Sequence, residues 1–238
     1  MSNDRVFKAY VNPLQFLEID EPWASRFDKM PTAEDVLKFA CPPSIKSDLE
    51  SLTSRYCEIS NEQDRLFAPP AEDRILNKLV WPLRHAKASY MFGNYLATVA
   101  LCGMVGEMLA LLIFDISDFK INDKVMSEKE QKSLFGSTFE KLNQQRRVAI
   151  LRSFNIMEDN IKSAFDLIRT KRRKYLHFWS QDHASLPPDA IAVYQAAVSI
   201  AVNVIGQNTQ DGKIVLNPSL IKYLERHGVI ETQDDTKN

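Results

Sequence analysis

From residue 71 onward, apolar positions recur at the three- and four-residue spacing of helices, and the runs are long. Ala71 to about Trp81 places Ile75, Leu76, Leu79 and Val80 on one side, and Pro82 interrupts or kinks that helix. A second helix is expected from Leu83 or Ala86 through Ile116. Ser127-Glu-Lys-Glu starts a short helix that ends near Gly136, and Phe139 to Phe154 forms another. Glu158 to about Trp179 and Asp189 to Ile205 are two further helices, the latter stopped by Gly206. Asn217-Pro-Ser-Leu to His227 is a last short helix after a strand over Lys213 to Leu216, and Glu231 to Asn238 is a polar, disordered tail.

The first 70 residues differ, with prolines at 13, 22, 31, 42, 43, 69 and 70. Thr32-Ala-Glu-Asp opens a capped helix to about Ala40, and Ser44 to Ile59 is another. Neither is long or apolar enough for a core of its own, so residues 1–70 read as an extension packed on a main domain. Residues 71–206 are the domain itself, and 207–238 a short C-terminal helix with a tail. The class is all-α. Four long helices, beginning near residues 71 to 83, 139, 158 and 189, predict an up-and-down bundle with a short helix inserted between the first pair.

Tyr95 to Phe114 is apolar enough to span a bilayer on hydropathy alone. Glu107 lies beyond the middle of that run and would oppose insertion by a few kcal/mol, and Lys and Arg do not gather on either flank. The expectation is therefore the buried helix of a soluble bundle, with no membrane partner.

Composition narrows the rest. With 30 basic and 31 acidic residues the net charge is -1, so any footprint for nucleic acid must be local. Cys41, Cys57 and Cys102 are an odd number without a Cys-x-x-Cys pair, which speaks against a disulfide framework and a zinc site, and no signal peptide opens the chain. The expected compartment is the cytoplasm. No Gly-rich phosphate loop, Gly-x-Ser-x-Gly or His-Glu-x-x-His is present, and His85, His183 and His227 lack metal-ligand spacing. Gly103-Met-Val-Gly106 reads as a close helix contact.

Residues 172–177 read Arg-Arg-Lys-Tyr-Leu-His. With Ile161 as zero on a wheel of about 100° per residue, Phe165, Ile168, Tyr175, Leu176 and Trp179 fall within about 60° of one line, and Arg172 within about 20° of it. A guanidinium aimed at a core needs a partner, and Glu107, the other misplaced charge, would explain both at once. His177 sits about 160° from the line, just before Ser180–Pro188 ends the helix, a place where the macrodipole also favours an ordinary histidine. Arg169, Lys171, Arg172, Arg173 and Lys174 are a dense basic cluster, with Arg146, Arg147 and Arg152 on the preceding helix. They read equally as a phosphate-binding strip and as cations favoured at a helix end. Tyr175, Phe178 and Trp179 have the rings to stack on bases, although the spacing favours core packing for Tyr175 and Trp179.

Arginine, four residues and histidine near the C-terminal end of an amphipathic helix resembles the signature of the HEPN superfamily, the higher eukaryote and prokaryote nucleotide-binding domains. The resemblance covers roughly Ala71 to Gly206, and Ser89 to Cys102 looks like the opening of a helix common in such bundles. It implies a HEPN-like helical bundle and a metal-independent endoribonuclease needing no cofactor, active as a homodimer with the motif helices facing across a two-fold axis. It further implies Arg172 and His177 as catalytic residues, Glu107 orienting the arginine, and RNA contacts from Arg169, Lys171, Arg173 and Lys174. The setting would be a toxin–antitoxin or defence system, with a nucleotidyltransferase-type antitoxin among the partners. Many active members carry a small polar residue after the motif arginine, where this chain has Arg173; that departure bears on catalysis more than on fold, and favours RNA binding. Two alternatives stand beside this reading: a non-catalytic HEPN-like module binding nucleotide, RNA or protein, and a ligand-free scaffold in which Arg172 and Glu107 form a sealed ion pair with His177 turned away.

Overall fold

The structure is a computed structural model of the chain and describes residues 49–60, 69–117, 119–121, 124–178, 182–206, 208–210 and 213–229. The helix expected over Thr32 to Ala40, Trp179 and the tail from Glu231 lie outside the described residues. The protein is an all-α helical bundle. Helix α1, Leu49–Ser60, buries Leu52 and Ile59 and packs on the later helix Trp81–Met91.

The first long helical run is continuous through Pro82. Helix α2, Asp73–Ile75, passes into a π turn, Leu76–Val80, and then into α3, Trp81–Met91. Proline has no N–H and crowds the carbonyl four residues back, so the wider turn just before it lets the chain proceed. The break falls instead at Phe92–Asn94, which corrects the single helix expected through Ile116. Gly93 takes φ +76°, and the Asn94 side chain accepts the Ala97 N–H at 3.3 Å, opening α4, Tyr95–Ile116.

Helix α4 is the centre of the bundle. It packs on α3, on α7, Asp159–Leu176, and on α8, Leu186–Ile205. Val99, Cys102, Val105 and Leu109 of α4 meet a core that includes Phe165 and Ile168 of α7 and Val193, Ala197 and Ile200 of α8, all fully or almost fully buried. Helices α4 and α8 are each long and apolar enough to cross a membrane, and here they pack on one another. Of the apolar line expected on α7, Ile161, Phe165, Ile168 and Tyr175 are buried, whereas Leu176, on the last turn, is exposed.

Between α4 and α7 the chain makes a small hairpin, Lys120–Ile121 with Lys124–Val125, and α5, Glu128–Phe135, closed at Gly136 with φ +78°. Ser127 and Glu130 form a reciprocal capping box at the start of α5. The helix expected over 139–154 is shorter than its pattern. Phe139–Lys141 is a 3-10 turn, Leu142 is extended, and Asn143 caps α6, Gln144–Ser153, by accepting the Arg146 N–H at 3.0 Å. Phe114, Phe119, Phe135, Phe139 and Phe154 stack into one aromatic cluster that pins this connection to the end of α4.

Helix α8 begins three residues before its expected start, because Pro187 and Pro188 occupy its first turn, where no N–H is required. It stops at Gly206, φ +70°, and a hairpin, Asn208–Gln210 with Lys213–Val215, leads to α9, Pro218–Arg226. Asn217 ties the two helices: its backbone N–H donates to the Ile205 carbonyl at 2.8 Å, and its carboxamide donates to Val204 at 3.2 Å and accepts from Ser219 at 3.0 Å. A Cβ at Gly206 would lie 2.6 Å from the Asn217 nitrogen. Gly206→Ala is therefore expected to destabilise the fold by more than the ~1–2 kcal/mol of left-handed backbone alone. Urea unfolding measures it, and a variant as stable as the wild type would refute this account of the junction.

Candidate functional site

Two glycines one turn apart cut a groove in α4, and three side chains from other elements lie in it. Arg172 of α7 runs its aliphatic stem directly over Gly103, so that a Cβ there would overlap its Cδ and stand 3.1 Å from its Nε. A Cβ at Gly106 would stand 3.1 Å from Gln144 Nε2 and 3.4 Å from Ile168 Cγ2. Ile168 and Arg172 are four residues apart and share one face of α7, which is why the apolar line leads the guanidinium onto α4. Gly103 and Gly106 are thus the close helix contact their spacing suggests.

Beyond Gly103 the Arg172 guanidinium donates from Nη1 to Glu107 Oε1, one turn further along α4. The pair is not sealed: the two side chains are 32% and 33% exposed. Buried Arg147 is a second neighbour of this carboxylate. Desolvation holds its pKa below the usual arginine value, partly opposed by the charges of Glu107 and Glu140. Its guanidinium donates to the carbonyls of Phe139, at 3.2 Å, and Glu140.

The Arg172–Glu107 pair forms part of the wall of an open cleft of about 330 Å³. Arg169, Arg173 and His177 of α7 line the same cleft, and its far wall is Asn143, Gln144 and Gln145 at the start of α6. His177 terminates α7, its backbone N–H donating to the Arg173 carbonyl at 3.2 Å, and its ring is exposed to the cleft. The Arg173 guanidinium stacks over exposed Phe178 at 5.0 Å from the ring centre.

The basic cluster that is contiguous in sequence divides in space. Arg169, Arg172 and Arg173 face the cleft, whereas Lys171 and Lys174 point to the start of α8, where Asp189 takes them at 2.7 and 3.5 Å. Residues 171 and 174 share one sector of a helix and 169, 172 and 173 another, so the strip of RNA contacts expected from all of them is not one surface. The arginines of α6 do not extend it either. Arg146 donates to the Phe135 carbonyl at 2.8 Å, Arg147 is buried as described, and Arg152 pairs with Asp159 at 2.8 Å.

Asn143, Gln144 and Gln145 carry neither a charge nor a catalytic motif that would mark them in the sequence. Gln144 is 8% exposed, and its Nε2 is buried without a hydrogen-bond partner among the described residues; the Nε of Arg169 is in the same condition. The available signal was Asn143 itself, a capping residue in mid-pattern that ends one helix and begins another. Among the described residues, no three His, Cys, Asp or Glu side chains gather as metal ligands. With three guanidiniums, an imidazole and one carboxylate, the cleft suits an anion. Compared with protein families, curated proteins and solved structures, the chain has no match in any of the three.

A one-third exposed pair is expected to couple by about 1 kcal/mol or less and to weaken in salt, against ~3–5 kcal/mol for breaking a sealed one. A double-mutant cycle with Glu107→Gln and Arg172→Met, read by urea unfolding, decides between them; a large, salt-independent coupling would restore the scaffold reading. Asp189 supplies a second test. Burial raises its pKa, but hydrogen bonds from Lys171 and Tyr175, with the charges of Lys171 and Lys174, hold it below the usual carboxylate value. A depressed carboxylate stabilises the fold above its unfolded pKa, so this contribution is full at neutral pH and fades as pH falls below about 4. Asp189→Asn is expected to remove that part of the pH dependence, which unfolding curves at pH 7 and pH 3 would show.

Proposed function

We propose that this protein is a metal-independent endoribonuclease of the HEPN type, acting at the cleft of Arg172 and His177. What supports the reading is that the guanidinium held by Glu107 and the imidazole five residues on line one solvent-open cavity. The ribose 2′-oxygen attacks the phosphorus, the bond to the 5′-oxygen breaks, and the products are a 2′,3′-cyclic phosphate and a free 5′-hydroxyl. One proton leaves the 2′-hydroxyl and one arrives at the 5′-oxygen, both within the reach of imidazole chemistry near neutral pH. Arg172 binds the phosphate and steadies the added charge of the phosphorane, and Glu107 fixes its direction.

One imidazole per cleft leaves the second proton transfer to His177 of another copy, and a two-fold pair of α7 ends would supply it. Leu176 and Phe178, the exposed apolar residues flanking His177, are the surface such a copy would cover. Stacking of Arg173 on Phe178 favours a second reading, a non-catalytic RNA-binding module, because that platform binds a strand without chemistry.

The test is cleavage of a mixed RNA pool in EDTA by the wild type and by His177→Ala, with analysis of product ends. We expect 2′,3′-cyclic phosphate ends and a loss of ~10²–10⁴-fold in the variant. Equal cutting by the two proteins would remove His177 from the mechanism, and RNA retention without cutting would favour the binding module.

A further inference from the structure

The far wall of the cleft has no part in that chemistry, yet it carries the least satisfied polar groups near the site. Gln144 is more than nine-tenths buried, its Nε2 lies against Gly106, and no acceptor meets it among the described residues. An orphaned buried amide costs stability, and an apolar side chain of similar size would avoid that cost. Gln144 is also the first residue of α6, a ten-residue helix, and Gln145 is the second. Among the described residues neither backbone N–H has an acceptor, since the Asn143 carboxamide caps the N–H of Arg146 instead. Across the cleft stands Arg169, whose Nε is buried and unpartnered while its Nη2 reaches Asp166 only at 3.5 Å. A neutral amide donor, two free backbone N–H groups at the positive end of a helix and a guanidinium all border one space. These donors need a shared acceptor with several oxygens and negative charge.

We infer that the start of α6 is a phosphate-binding subsite, in which Gln144 Nε2, the backbone N–H groups of Gln144 and Gln145, and Arg169 hold a phosphodiester next to the one engaged by Arg172. The identity of the ligand as a nucleotide strand rests on the proposed function; the phosphate site itself does not. Gln144 is a substrate-binding residue, and its burial fixes the register in which the strand crosses Arg172 and His177.

The experiment uses the full chain, with inorganic phosphate and a 2′-deoxy oligonucleotide that cannot be cleaved at a 2′-hydroxyl. Gln144→Leu removes the orphaned donor, and Gln144→Glu puts a carboxylate where the anion would sit while remaining favourable to the helix start. We expect phosphate, against chloride of equal ionic strength, to raise the wild-type Tm. Gln144→Leu should unfold at the same or a higher temperature without phosphate, lose that response, and bind the oligonucleotide roughly tenfold more weakly. Gln144→Glu should lose both responses as well. A Gln144→Leu protein that is several degrees less stable, or that binds phosphate and oligonucleotide as the wild type does, would overturn the subsite, as would a wild type indifferent to both probes. RNA cutting that survives unchanged in Gln144→Leu would sink the subsite and leave the ribonuclease standing. A phosphate response lost in the variants of a protein that cuts no RNA would do the reverse.

Discussion

The close approach of α7 to α4 at Arg172 is the constraint on which the rest of the cleft depends. A long cationic side chain crosses the face of a helix to reach a carboxylate one turn beyond, and it passes only because residue 103 has no Cβ. The arrangement is not favourable for stability. Each interior helical glycine costs about 1 kcal/mol relative to alanine, so the groove at Gly103 and Gly106 costs α4 about 2 kcal/mol. A one-third exposed pair returns at most about 1 kcal/mol. Packing of Ile168 into the same groove recovers part of the difference. A well-packed aliphatic residue at 172 with alanine at 103 would serve a scaffold better, so stability alone does not account for the pair and its groove.

The opposite wall comes from a helix that starts late. Leu142 is extended and Asn143 caps, which puts residues 143–145 at a helix start on the cleft, with Gln144 packed against Gly106 of α4. Arg147 holds that break in place by donating to the first two carbonyls of the preceding 3-10 turn, and the stack of Phe114 on Phe139 anchors the turn itself. Arg147 also lies near enough to Glu107 to feel its charge, so one carboxylate faces two guanidiniums, one structural and one at the cleft.

Much of this could be read in the sequence, for identifiable reasons. The all-α class, the stops at Gly136 and Gly206 and the misfit of Arg172 follow from periodicity and from residues with a single conformational meaning. The pairing of Arg172 with Glu107 follows from having two misplaced charges of opposite sign in apolar surroundings. Other features escaped because linear density is not surface density. Five cations in six positions look like one patch, but a turn of about 100° per residue sends Lys171 and Lys174 to Asp189. The break at Gly93 was hidden by strong apolar patterning on either side, and the exposure of Leu176 reflects the end of the bundle, which no wheel records. Gln144 escaped because an uncharged amide carries no mark in sequence; its significance appears only when its surroundings are known to hold no acceptor.

On the proposed function, a nearly neutral protein with so local a cation set would recognise an anion differently from a basic one. With Lys171 and Lys174 neutralised by Asp189, and Arg146, Arg147 and Arg152 engaged in the fold, the guanidiniums that remain at the cleft are Arg169, Arg172 and Arg173. Each contact to a single strand contributes roughly 0.7 to the slope of log affinity against log salt, so two or three of them give a shallow dependence and weak long-range attraction. Discrimination must then come from geometry inside the cleft: a guanidinium fixed by Glu107, a buried amide without a partner, and a helix start aimed at the same small space. If the proposed function holds, such a site would pull weakly on nucleic acid at a distance and hold firmly only the strand whose phosphates fall in its register, because preorganised donors lose little freedom on binding while a misplaced phosphate leaves them unpaired.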